Sequence, residues 1–148
     1  MPRRELCTDS IPLLLMLLFA HAAPAREQAV LARVTVYWHS AGSKERIAAA
    51  GPRLHEGHCA VDPKKIPYGS KVVLPDAQLT AVDTGPAVVQ RTAARRSART
   101  PEQRKAIVID RYFESSRQAQ AWAESHPHFM TVWVDSPDSA ETTPSEPE

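Results

Sequence analysis

Short runs of apolar or alternating residues, each bounded by turn residues, predict six strands along the chain. Arg33 to Trp38, RVTVYW, alternates polar and apolar positions and is rich in β-branched and aromatic side chains. His39 to Gly57 has little pattern and contains Gly42, Gly51 and Gly57, although IAAA within it suits a helical turn. His58 to Val61 is a short second strand. KVVLP and QLTAV follow as two strands around Pro75-Asp76, which suits a hairpin. KAIVIDRYF and FMTVWV complete the set. Between these last two, Ser115 or Ser116 caps a helix that runs to about Ser125, with Ala119, Trp122 and Ala123 on one face and Pro127 beyond its end. A further helix start is read at Thr100-Pro101-Glu102-Gln103, with Thr as cap and Pro in the first turn. Asp62-Pro63 and Pro67-Tyr68-Gly69 carry turn chemistry. Six short strands with one or two short helices predict a mainly β fold, a small closed barrel rather than a layered α/β domain.

The ends change the picture. Arg3 and Arg4, the apolar stretch Ile11 to Ala20 and the small residues AHAAPA have the order of a secretory signal, so residues 1–25 are expected to be removed and the protein exported, to the periplasm, cell envelope or outside the cell. No membrane association is expected after cleavage. DSPDSAETTPSEPE, residues 135–148, has five acidic residues and no basic one, and cannot build a core. The domain is expected over 26–134. Its charge is nearly balanced, which does not predict a nucleic-acid partner. Basic residues are concentrated instead: Arg91 to Lys105 holds six against Glu102 alone, inside an insertion over 86–106 that reads as solvated surface, with a binding patch for an anionic polymer as the alternative. Nothing in the sequence fixes an oligomeric state.

Three apolar runs end on a carboxylate: CAVDP on Asp62, LTAVDTG on Asp83 and AIVIDRY on Asp110. Burying a carboxylate beside apolar strands is costly unless it is bonded or paired. An Asp-Pro turn accounts for Asp62, and bonds to the Thr84 and Gly85 amides would account for Asp83. Asp110 has no such neighbour. Strand parity places it with Val108 and Tyr112, while Ile107, Ile109 and Arg111 face the other way. Desolvation there would raise its pKa, and Arg111 should not pair with it.

AVDTG also has the form of an aspartic-protease motif. However, Pro86 follows Gly85 where a small Ser or Ala is usual, and a later hydrophobic-hydrophobic-Gly element is impossible because Gly85 is the last glycine. His55, His58 and Cys59 form HxxHC, but adjacent strand residues point to opposite faces, so no metal site is expected. Without the leader, Cys59 is the sole cysteine, and it reads as a buried thiol. No cofactor is expected.

RVTVYW, GPRLHEGHCAVDPKKIPYGSKVVLP, TAVDTGPA, IVIDRYFES and the Trp-containing helix before TVWV resemble the 3D domain, named for three aspartates. That family is related to the barrel domain of membrane-bound lytic transglycosylase A and, more distantly, to RlpA-like barrels and expansins. The resemblance covers about Arg33 to Val134 and implies a six-stranded double-psi β-barrel, whose internal pseudo-symmetry the repeated AVD would fit. It also implies cleavage of the MurNAc to GlcNAc bond of peptidoglycan strands with a 1,6-anhydro product. Asp110 would then be the catalytic acid and base, Asp83 the second catalytic carboxylate, and Asp62 structural or substrate-orienting. The chain departs from the family's DTGGAIKG at Pro86, Val89 and Gln90, and 27 positions separate Asp83 from Asp110 where the family has far fewer. Lys71 or an arginine of the insertion would replace the missing lysine as a substrate contact. A wall-binding barrel without catalysis, expansin-like, is the alternative.

Overall fold

The computed structural model of the chain describes residues 27–40 and 46–137. The expected leader over 1–25 lies outside the described residues, as does the acidic tail from residue 138 onward. Strand β1, Glu27–Trp38, is twice as long as its alternating half. The extra length has a cause: residues 27–33 pair with the last strand and residues 32–38 with a different one, so β1 serves two ladders in sequence. The others are β2 (His58–Ala60), β3 (Lys71–Val73), β4 (Gln78–Asp83), β5 (Ile107–Phe113) and β6 (Phe129–Asp135), the last running one residue past the expected boundary. They close into a barrel in the order β1-β5-β2-β4-β3-β6. Closure removes the open edge that a small sheet would expose.

The pairing list is unchanged when β1, β2 and β3 are exchanged with β4, β5 and β6. The parallel pair β1/β5 becomes β4/β2, which is also parallel, and the antiparallel pair β1/β6 becomes β4/β3. This is the internal symmetry expected of a double-psi barrel, but the repeated AVD does not mark it. Those tripeptides sit on β2 and β4 and lie side by side, with the Val61 N–H donating to the Asp83 carbonyl at 2.9 Å. The symmetry partner of β2 is β5.

Alternation along the strands separates inside from outside. Cys59, Val61, Val72, Leu79, Ala81, Ile109 and Val132 fill the interior, each almost fully buried. Burial contributes about 1.5–3 kcal/mol for each of the larger aliphatic side chains. The helix α4, Ser116–Ser125, places Ala119 and Trp122 against this core, and the Ser115 hydroxyl caps it by accepting from the Gln118 N–H. The hairpin expected at Pro75-Asp76 forms, with the Leu74 N–H on the Ala77 carbonyl at 2.8 Å. The turn at Pro67-Tyr68-Gly69 closes through the Ser70 N–H, and Gly69 there has φ 87°, which a side chain would oppose.

The insertion holds more helix than the start expected at Thr100. It folds as three short helices, α1 (Pro86–Val89), α2 (Thr92–Ser97) and α3 (Pro101–Lys105), giving four helices among the described residues instead of one or two. Val88, Ala94 and Ala106 turn inward against Ala60 and Val108, forming a small second core on the outer face of β2 and β5. The Thr100 cap and Pro101 lie as the sequence predicts, although the Gln103 side chain reaches back to the Arg99 N–H.

Candidate active site

Strand β2 is the spacer of the site. Its Ala60 stands in register with Asp83 of β4 on one side and with Asp110 of β5 on the other. Two carboxylates that lie 27 positions apart in the chain are thereby brought to either side of a single methyl group. The detour between them is taken up by the three inserted helices, which leave and return on the same barrel face.

Asp83 is 4% exposed, and both of its oxygens accept hydrogen bonds. The Tyr37 hydroxyl donates to Oδ2 at 3.2 Å and the Ala49 N–H to Oδ1 at 3.0 Å. The Asp83 side chain therefore does not close a turn at Thr84-Gly85. Gly85 is extended and precedes α1, and the stabilising amide comes from the 46–54 loop. That loop is held by the Ile47 to Arg53 bridge and by the Ala50 N–H on the Val82 carbonyl. It packs Ala48 and Leu54 against Val82 and Tyr112.

Asp110 lies on the outer barrel face with Val108 and Tyr112, as parity predicts. The Thr35 hydroxyl donates to its Oδ1 at 2.8 Å, Thr35 being its register partner on β1. Burial pushes the Asp110 carboxyl up to about 6, against the pull of the Thr35 hydroxyl and the Arg46 guanidinium, and the Asp83 charge adds to the rise. A carboxyl in that range is protonated part of the time near neutral pH. Arg111 points away and bonds Asp76 at 2.9 Å.

Tyr37 bonds Asp83 and feels the charge of both acids. Its hydroxyl pKa is raised by burial first, then by Asp83 and Asp110, so it stays a donor. The Tyr112 ring meets the Tyr37 ring edge-on at 5.3 Å, and the Arg46 guanidinium lies over the Tyr37 ring at 5.5 Å. Thr35, Tyr37, Arg46 and the Ala49 amide were not singled out by sequence. For Thr35 and Tyr37 the signal was present, because RVTVYW places both on the polar face of an alternating strand. Arg46 follows a stretch with no pattern and gave none.

Neither of the remaining expected site residues hydrogen-bonds to Asp83 or Asp110. The Asp62 carboxylate accepts from the Lys64 N–H at 3.1 Å while its carbonyl accepts from Lys65 and Ile66, so its bonding is that of a turn. Lys71 is exposed on β3, and its Nζ donates to Thr80 Oγ1 at 3.0 Å. The cation acting on Asp110 is Arg46, not Lys71. The Cys59 thiol is buried inside the barrel, and burial with the Asp110 charge pushes it up to about 12. His58 is on the opposite side of β2, its ring 3.7 Å from that of His55, so HxxHC does not converge. Chemically, the arrangement offers one carboxyl able to give and take a proton, beside a second that is fully hydrogen-bonded and fixed. No family model matches the chain, and no curated protein does.

Proposed function

We propose that the protein is an exported peptidoglycan-cleaving enzyme of the lytic transglycosylase type, with Asp110 as its acid and base. The observation that carries this reading is the Asp110 carboxyl, raised to about 6 by burial beside a second carboxylate. The resemblance of AVDPKKIPYG, VDTG and IVIDRYF to the 3D domain supports the same substrate class.

A glycosidase that uses water needs a second carboxylate as nucleophile or base. One reacting carboxyl suffices when the sugar supplies its own nucleophile. The Asp110 proton passes to the glycosidic oxygen as the bond from that oxygen to C1 of MurNAc breaks. The 6-hydroxyl of the same sugar then bonds to C1, and its proton returns to Asp110. The products are a 1,6-anhydro end and a GlcNAc with a free 4-hydroxyl, and neither water nor a proton is consumed. Asp83 contributes negative charge that favours the protonated form of Asp110 and stabilises positive charge developing at C1.

Digestion of purified sacculi tests this. The protein should release anhydro-muropeptides, and Asp110→Asn should reduce the rate by about 10²- to 10⁴-fold, the usual worth of a general acid. The acid must begin protonated, so the rate should fall about tenfold per pH unit above roughly 6. Glycan binding without released product in the wild-type protein would favour the expansin-like alternative.

A further inference from the structure

The inserted helices and the approach to β6 enclose a cleft of about 500 Å³ lined by Ser97, Arg99, Gln103, Pro127, His128 and Phe129. A second hollow of about 230 Å³ adjoins it across Pro127 and His128, and Arg33 lines this one. No acidic side chain lines either hollow. Arg33 Nε donates to Ser97 Oγ at 3.1 Å, and its guanidinium lies over the Phe129 ring at 5.8 Å and donates to the Val34 carbonyl. All three partners are neutral, so among the described residues this part-buried cation has no counter-ion. Burial lowers its pKa, which marks the same deficit of solvation. Part-buried guanidinium groups ordinarily meet a carboxylate or a phosphate.

The position of the cleft ties it to Asp110. Arg33 is in register with Val108 and Thr35 with Asp110, so Arg33 lies on the same barrel face as the Thr35-Asp110 pair, two residues or about 7 Å along the strand. A glycan strand with a linkage at Asp110 that runs along β1 toward Arg33 passes the cleft with its neighbouring sugar or that sugar's substituent. Arg99 of the insertion lines the cleft, and the insertion's six basic residues against one acid between Arg91 and Lys105 attract negative charge.

We propose that this cleft binds a carboxylate carried by the glycan strand, so that the inserted helices select strands bearing acidic peptide stems. The inference rests on the glycan-cleaving reading for its substrate, and Arg33 and Arg99 are its specificity-determining residues.

The test measures binding of the exported chain carrying Asp110→Asn, which leaves strands intact, to two probes. One is peptidoglycan strands with their peptides, and the other is the same strands with the peptide carboxyl groups coupled to neutral amides, because removing the peptides would leave a lactyl carboxylate on each MurNAc. The strands with free carboxylates should bind about tenfold more tightly, the scale of one charge-assisted hydrogen bond. Arg33→Gln and Arg99→Gln should each abolish that preference. Arg99 is exposed on the loop between α2 and α3, so its replacement leaves the barrel core untouched even if Arg33→Gln misfolds. Equal binding of the two probes, or an undiminished preference in Arg99→Gln, would overturn the proposal. So would tighter binding of single-stranded DNA than of strands with free carboxylates. A preference for strands with free carboxylates in a protein that releases no anhydro product keeps the cleft and removes the catalytic reading. Anhydro product without that preference removes the cleft alone.

Discussion

Asp110, the acid and base of the proposed reaction, is also a destabilising side chain. Its pKa rises from 3.8 to about 6 on folding, so the folded protein binds the proton more tightly than the unfolded chain. The sign follows from linkage: this contribution is fully present below pH 3.8 and is lost as pH rises through about 6. Asp110→Asn should therefore stabilise the protein by about 3 kcal/mol at pH 7.5 while slowing cleavage, and most of the gain should be gone near pH 4. Urea unfolding at the two pH values checks this, and a gain equal at both would remove the buried-acid argument. Thr35→Val separates the hydroxyl from the carboxyl. The Thr35 bond holds the Asp110 pKa down, so its loss should move the alkaline limb of the rate profile to higher pH. An unmoved limb would show that Thr35 does not tune the acid. At this scale Asp110 was legible because no turn residue explains it. Its partners were not, because Thr35 lies 75 positions away and only the β1/β5 register brings it near.

Elements explain why the site holds its shape. At the β3-β4 hairpin, Asp76 Oδ2 accepts from Arg111 at 2.9 Å and from Trp122 Nε1 at 2.8 Å, so one turn residue ties β5 and α4 to the hairpin. Arg111 is 8% exposed and its guanidinium also stacks over Phe113 and Trp122. Burial pushes the Asp76 carboxyl up, but the Arg111 and Trp122 bonds outweigh it and hold it below its usual value. Its contribution is complete above the unfolded value of 3.8 and is lost as pH falls through the lower folded one. Asp76→Ala should cost about 2–3 kcal/mol, less than for a fully buried pair because solvent reaches the carboxylate. Thermal unfolding at neutral pH measures it, and a loss under 0.5 kcal/mol, on the order of a surface pair, would refute the tie. The hairpin itself could be read from Pro75-Asp76. Of the inserted helices only the start of α3 could, from Thr100 and Pro101, since α1 and α2 are too short to show a period and their core is mostly alanine among arginines.

At the scale of the molecule, the strand count follows from six bounded runs. The order of strands does not, because the ladders join segments that no local signal connects. That order has a further implication for how the protein assembles. Every ladder joins a strand of the first three to a strand of the last three, and none lies within either trio. Cutting the chain at the hairpin between Val73 and Gln78 should therefore yield two fragments that are each without sheet structure, yet recover a cooperative melt when mixed. A fragment that melts cooperatively alone would contradict this. Neither trio can serve as a template on which the other later docks, and folding must interlace both at once.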